Sequence, residues 1–356
     1  MIFYTEELLV IDFRDELKSV VQQINELYYF HAPDWQQAIF DQIISWHNND
    51  EFQIPTSGTT DHQKTIHAKK EYLAASANAT CDFFHLNPGS TLLLCMSPQY
   101  IGGRMMIARA IERQLKLFCV KTCANPLHDF DIQIDFTALV PLQVKAILDE
   151  NPERLGNFKK ILIGGAECDA DLIQTLKEKK IHAYNSFGMT ETFSHIAIKS
   201  LSPVEKDYYM ILDHVDCTVN EEQRLVINSP SLGIDRLTTN DIVSLEGKKL
   251  KWICRSDDII NSGGIKINTI EIENKVREIT QQPFIVNYMK DDKLGEQLVL
   301  VSDFKIDDPE KVLTLLKNNL PNYHNPKKYF YIPEIPYTET GKVKRKALHD
   351  LIEGLS

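Results

Sequence analysis

No C-x-x-C pair occurs in this sequence. Its seven cysteines, Cys81, Cys95, Cys119, Cys123, Cys168, Cys217 and Cys254, are scattered and odd in number. That pattern argues against a paired-cysteine metal site or a disulfide scaffold and reads as a reduced, cytoplasmic thiol set. No run approaches the roughly 18 apolar residues of a membrane span. Residues 1–15 mix acidic with apolar side chains and lack a basic leader, so no signal peptide is expected. Positive charge is also short: 39 Lys and Arg against 50 Asp and Glu leave a formal net charge of −11, which argues against a non-specific nucleic-acid binder. A Walker loop, G-x-x-x-x-G-K-[ST], is missing, as are internal repeats and low-complexity segments.

What is present is ordinary soluble globular composition over 356 residues, enough for two or three domains and a cleft between or within them. Between residues 90 and 186, short apolar runs at 92–96, 117–120, 138–140, 160–163 and 182–184 alternate with stretches of helical spacing, the pattern of a mainly parallel sheet. Antiparallel character is expected over 217–227 and 242–253, with Glu246-Gly247 at a hairpin turn. Past Arg255 come a Gly-rich turn at Ser262-Gly263-Gly264, an amphipathic segment at 269–279, strand-like 284–288 and 297–302, and a helix near 309–320. The expected fold is therefore α/β, with a large mixed-sheet domain at 1–256 and a small α+β domain at 257–356.

Several segments are suited to phosphate and nucleotide chemistry. Thr56-Ser57-Gly58-Thr59-Thr60, followed by Lys64, gathers small hydroxyl side chains and a glycine and closes with a cation, so backbone N–H groups can converge on a polyphosphate. Gly164-Gly165-Ala166 follows a strand and would let a flat base approach the backbone. Asn185-Ser186-Phe187-Gly188-Met189-Thr190-Glu191-Thr192 sets side by side a ring for a base, a bare backbone, a hydroxyl donor and a carboxylate for Mg²⁺. Taken singly, each also fits a surface turn or ordinary core.

Asp241, Arg255-Ser256-Asp257-Asp258-Ile259-Ile260-Asn261-Ser262-Gly263-Gly264-Ile265-Lys266 and Thr340-Gly341-Lys342-Val343 complete an ordered series over residues 55–346. In that order the sequence resembles the adenylate-forming superfamily of acyl-CoA synthetases, luciferases and peptide-synthetase adenylation domains. The resemblance implies a two-step ATP-dependent ligase: acyl-adenylate formation, then transfer to coenzyme A, with a small mobile C-terminal domain. It also implies roles, position by position. Thr56, Ser57, Gly58, Thr59, Thr60 and Lys64 look like the triphosphate loop, Gly164, Gly165, Ala166, Asn185, Phe187 and Gly188 like the adenine side, and Thr190 like a phosphate contact. Glu191 would hold Mg²⁺, Asp241 and Arg255 the ribose and phosphate, Asp257 the hinge, and Lys342 the reacting carboxylate and phosphate.

The sequence departs from the family pattern where Asp61 stands in the phosphate loop, and where Thr239-Asn240-Asp241 replaces Thr-Gly-Asp. Only about 55 residues precede that loop, so the large domain is expected to be trimmed and the acid compact. Met96-Ser97-Pro98-Gln99-Tyr100-Ile101-Gly102-Gly103-Arg104-Met105-Met106-Ile107-Ala108-Arg109 is similar to the short o-succinylbenzoate CoA ligases of menaquinone synthesis. Tyr100 and Gly103 would line the acid pocket, and either Arg104 or Arg109 would hold the second carboxylate of a dicarboxylic substrate by paired hydrogen bonds. Two alternatives stay open: another aryl acid or a carrier-protein acceptor, and an inactive nucleotide-binding regulatory protein.

Overall fold

The computed structural model describes residues 2–55, 65–166, 168–337 and 343–355. The chain divides into two compact units, Met1–Thr218 with Val226–Leu237 and Leu245–Lys251, and Val219–Leu225 with Thr238–Ser244 and Trp252–Ser356.

The first unit is built on β1 (Ile2–Tyr4), β2 (Leu8–Asp12), β3 (Glu51–Pro55), β4 (Thr65–Lys69), β5 (Thr91–Leu94), β6 (Lys116–Val120), β7 (Phe136–Leu139), β8 (Ile161–Ile163), β9 (Ala183–Gly188), β10 (His195–Ser202) and β11 (Tyr209–Ile211). Its sheet runs β1-β2-β6-β5-β7-β8-β9-β10-β11, and Leu250 and Lys249 pair with Tyr209 and Met210. The five strands from β6 to β9 are parallel to one another, as the alternation of the sequence implies. Every residue of β7 and β8 is buried, which explains why neither strand alternates apolar with charged residues. The pleat divides β5: Leu92 and Leu94 face a core completed by Phe40, Ile43 and Met106, while Leu93 faces one completed by Val144, Ile147 and Leu172.

Those cores fix the helices. α1 (Leu17–Gln23), α2 (Asp34–Asn48), α3 (Lys70–Phe83) and α4 (Ile101–Glu112) precede β6 in sequence, and α5 (Pro141–Glu150) and α6 (Ala170–Glu178) follow β7. The N-terminal residues supply the antiparallel β1-β2 edge against β6 and the apolar face of α2, neither of which the sequence reading assigned. β3 and β4 form a separate hairpin in which Pro55 and Thr65 lie opposite each other. The chain passes between the units within β12 (Asp216–Val219), β13 (Arg224–Ser229), β14 (Ile234–Glu246) and β15 (Lys249–Arg255). Gly247 takes φ +58° at the expected turn between β14 and β15, a left-handed conformation that glycine adopts without steric cost.

The second unit is a sheet of β16 (Ile259–Ser262), β17 (Ile265–Asn268), β18 (Ile285–Asp291), β19 (Gly295–Ser302) and β20 (Lys328–Tyr331), with α7 (Thr269–Thr280), α8 (Pro309–Asn319) and α9 (Arg345–Gly354). Gly263 and Gly264, at φ +60° and +82°, turn β16 into β17. Asn268 caps α7 by accepting from the N–H groups of Ile270 and Glu271. Alternate residues of β18 and β19 again divide: Val286, Leu298 and Leu300 meet Ile272, Val276 and Leu316, while Ile285, Val299 and Val301 meet Leu348 and Ile352.

Arg345 ties this unit together. Its Nε donates to Asp258 Oδ1 at 2.5 Å, its Nη1 to Glu273 Oε1 at 3.1 Å and to the Val286 carbonyl at 2.7 Å. Burial pushes the Glu273 carboxyl up, and the Arg345 guanidinium opposes that shift. Arg345→Met is expected to leave two nearly dry carboxylates without their cation and to destabilise the second unit by about 3–5 kcal/mol. Denaturant unfolding checks this; an unchanged midpoint would show that water or a second cation already compensates the acids.

Candidate active site

In an open α/β sheet, ligands gather beyond the carboxyl ends of the parallel strands, where the winding direction reverses. Here the chain leaves β5 for β6 on one side and then returns to β7 on the other. The segments leaving β5, β8 and β9 carry Tyr100–Arg109, Gly164–Ala166 and Gly188–Glu191.

On the β8–β9 side, the Gly164 N–H donates to the Leu139 carbonyl at 3.0 Å, and a Cβ at Gly164 would lie 2.6 Å from Ser186 Oγ. Gly165 adopts φ +85°, and Ala166 is half-buried after it. Asn185 is buried; its Nδ2 donates to the Ile163 carbonyl at 3.2 Å and its Oδ1 accepts from the Tyr209 hydroxyl at 2.5 Å. Its amide thus braces β9 on β8. Phe187 is half-buried, its ring 5.5 Å from that of Tyr209. Gly188 has a packing reason to be glycine, since a Cβ there would sit 2.3 Å from the Ser194 carbonyl oxygen.

A 3₁₀ turn, Thr190–Thr192, leaves β9. Thr192 Oγ1 accepts from the Met189 N–H at 3.1 Å and donates to the Ser194 carbonyl at 2.7 Å, and Phe193 takes φ +61° to send the chain back into β10. This leaves Thr190 half-buried and Glu191 exposed, a carboxylate with no cation partner among the described residues. One such group, together with phosphate oxygens and water, is the donor set Mg²⁺ prefers, so Glu191 fits that ion.

The two candidate arginines are five residues apart on α4, about 140° around the helix at 100° per residue, so they point in different directions. Arg104 Nη1 donates to the Gln53 carbonyl at 3.2 Å, and its guanidinium lies 6.0 Å from the centre of the Phe52 ring, against the β3–β4 hairpin. Arg109 is 2% exposed. Its Nη2 donates to Ser194 Oγ at 3.0 Å, its Nη1 meets Met106 Sδ at 3.5 Å, and its buried Nε has no partner. Burial drags even this guanidinium down to about 10. No acid among the described residues pairs with it. Tyr100, ahead of α4, is 67% exposed. Gly103 is required by packing, because a Cβ would fall 2.2 Å from the Ser97 carbonyl oxygen.

The sequence reading did not single out His195. It is buried, its Nδ1 3.2 Å from Ser194 Oγ and its Nε2 3.1 Å from Thr80 Oγ1. Burial first, then the positive fields of Arg109 and His214, hold its pKa well below the usual histidine range, so the ring is neutral. Its place immediately after the Thr190–Ser194 turn was the available signal.

In the second unit, Asp241 is buried, its N–H bonded to Thr239 Oγ1 at 3.0 Å and its Oδ1 accepting from Trp252 Nε1 at 3.0 Å. Arg255 Nη2 pairs with Asp257 Oδ2 at 3.0 Å. Burial works against the Arg255 charge, yet Asp257, Asp241 and Asp258 hold its pKa above the ordinary value. Thr56, Ser57, Gly58, Thr59, Thr60, Asp61, Lys64 and Lys342 lie outside the described residues. No described helix is long and apolar enough to cross a membrane.

Known proteins resemble this chain in sequence and in fold. A 2-succinylbenzoate–CoA ligase of Staphylococcus epidermidis is 26% identical over 337 residues, covering 84% of this chain and 70% of its own. A solved acyl-CoA synthetase (AMP-forming)/AMP-acid ligase II-like protein from Dyadobacter fermentans is 30% identical, with TM-score 0.65, and the match covers 97% of this chain and 100% of that one. The o-succinylbenzoate coenzyme A synthetase of Bacillus subtilis, solved with ATP and magnesium ion, shares the fold at TM-score 0.66 and 19% identity over 83% of this chain and 69% of that one. The model of the AMP-binding enzymes matches residues 8–226, more than half of the chain, and the chain belongs to that family.

Proposed function

We propose that this protein is an ATP-dependent, AMP-forming acid–CoA ligase whose acid is o-succinylbenzoate, acting in menaquinone biosynthesis. The observation that carries the choice of acid is Arg109: a buried guanidinium without a carboxylate partner, bonded to the turn that follows Thr190 and Glu191. A buried cation is costly unless an anion joins it, and the second carboxylate of a dicarboxylic acid is such an anion. Relatives named 2-succinylbenzoate–CoA ligase support the same reading.

In the first step the substrate carboxylate attacks the α-phosphorus of ATP, forming a mixed anhydride and releasing pyrophosphate. In the second, the CoA thiolate attacks the acyl carbon, forming the thioester and releasing AMP. The residues 56–60 with Lys64 would bind the leaving phosphates, Gly164–Ala166 and Phe187 the base, and Asp241 and Arg255 the ribose and α-phosphate. Mg²⁺ held at Glu191 would offset phosphate charge as the anions approach. Thr190 would donate to the same phosphate, Lys342 would lie between carboxylate and phosphate, and Asp257 would be the pivot between steps. ATP and CoA as substrates, with free cysteines among the described residues, agree with a cytoplasmic site of action.

The test is pyrophosphate release with ATP, Mg²⁺ and CoA against o-succinylbenzoate, benzoate, phenylacetate and medium-chain fatty acids, with thioester identified by mass. Turnover is expected with o-succinylbenzoate and not with the monoacids; equal turnover of benzoate would sink the dicarboxylate reading.

A further inference from the structure

The hydrogen bonds around Arg109 form a continuous chain of side chains. Thr80 Oγ1 lies 3.1 Å from the Ser76 carbonyl, one helical turn back on α3, and a carbonyl can only accept. With its hydroxyl donating to that carbonyl, Thr80 presents lone pairs to the histidine nitrogen 3.1 Å away. That arrangement calls for the imidazole proton on His195 Nε2. In a neutral ring Nδ1 is then an acceptor, so it takes the Ser194 hydroxyl proton across 3.2 Å. That leaves the Ser194 oxygen facing Arg109 Nη2 with its lone pairs, at 3.0 Å.

We propose that His195, in its neutral Nε2–H form, is a positioning and specificity-determining residue: it turns the Ser194 hydroxyl so that its oxygen braces Arg109, whose buried Nε keeps no protein partner and is the donor a substrate carboxylate would take up. This inference rests on the reading of Arg109 as the carboxylate-binding group. Four observations carry it. The contacts form an unbroken chain from the Ser76 carbonyl through Thr80, His195 and Ser194 to Arg109. Its members come from α3, β10, the turn before it and α4. Arg109 Nε is buried without a partner. And the titratable groups around the ring favour neutrality: Arg109 and His214 oppose a charged imidazole, while Cys81, near Arg109, is pushed up to about 11 by burial and stays a thiol. A positive His195 would have two donors, could no longer accept from Ser194, and would swing that hydroxyl proton towards Arg109.

The first experiment needs no substrate. Nitrogen-15 NMR of the imidazole in the whole chain should report the Nε2–H tautomer and no titration between about pH 5.5 and 8. Ser194→Ala should leave that tautomer in place because Thr80 still accepts. An Nδ1–H tautomer, or titration near the free-histidine value, overturns the proposal whatever the substrate proves to be. The second experiment is kinetic. His195→Leu should raise KM for o-succinylbenzoate by about tenfold to a hundredfold, since a hydrogen bond supporting a charged group is at stake, with KM for ATP and kcat within about twofold. His195→Asn, whose amide oxygen can accept from Ser194, should recover most of that loss. An equal rise in both KM values, or failure of His195→Asn to recover more than His195→Leu, would reduce His195 to core packing. If the wild-type protein shows no turnover with o-succinylbenzoate, the acid assignment fails while the tautomer measurement still decides the role of His195.

Discussion

Lys342→Ala is expected to lower the rate of adenylate formation by roughly 10²–10³-fold or more while leaving thioesterification of a supplied acyl-adenylate nearly intact. The asymmetry comes from charge. The first step forces a carboxylate against a polyphosphate, and a cation placed between them acts where negative charge concentrates. In the second step a thiolate meets the acyl carbon of a mixed anhydride and the lysine has much less to offset. The flanks of residue 342 are held independently of its side chain: Tyr337 and Val343 form an antiparallel bridge, the Lys344 N–H donates to the Pro336 carbonyl at 2.8 Å, and Arg345 is anchored on Asp258 and Glu273. The alanine variant should therefore fold normally. Pyrophosphate exchange and thioester formation from synthetic adenylate, measured separately, decide the matter; loss of both half-reactions together contradicts the role given to Lys342.

Arg109→Met is expected to raise KM for o-succinylbenzoate by about 30-fold to 1,000-fold, the equivalent of 2–4 kcal/mol for removing one partner of a buried charge pair, with little change in KM for ATP. The same substitution should leave the unliganded protein as stable as before or more so. The native guanidinium is stripped of water, has an unsatisfied Nε, and finds only a hydroxyl and a thioether as partners. A methionine of similar length removes that desolvation cost and keeps contact with Met106. This opposition of stability and affinity is characteristic of a residue retained for binding. Arg104→Met, which loses a bond to the Gln53 carbonyl and contact with Phe52, serves as the comparison and should leave the acid KM unchanged. Marked destabilisation by Arg109→Met would instead make the arginine a structural pin between α4 and Ser194.

Much of the architecture was legible because its causes are local. The buried strands β7 and β8 announce themselves by short runs without charged residues, the turn at Gly247 by its glycine, and α7 by an asparagine cap ahead of a periodic segment. The N-terminal β1-β2 hairpin was not legible: its strands are short, and their partner β6 lies more than a hundred residues along the chain. The glycines were legible as glycines but not in their reasons. Gly103 and Gly188 look like bare backbone offered to a ligand, and the fold shows that at each a side chain would collide with a neighbouring carbonyl oxygen. Asn185 lies within the nucleotide-like segment, yet its amide is turned inward to Ile163 and Tyr209.

The sequence by itself determined the family chemistry, because residue types in a fixed order along one chain constrain a reaction: a hydroxyl-rich loop, a Thr-Glu pair, an aspartate, an arginine and a late lysine. It also offered Arg104 and Arg109 as candidates for an acid-binding cation. That Arg109 is the more deeply buried of the two, that His195 lies beside it, and that Ser194 stands between them were decided only by tertiary structure. Burial and hydrogen-bond polarity depend on α3, α4 and β10 meeting from distant parts of the chain, and no local pattern encodes that meeting.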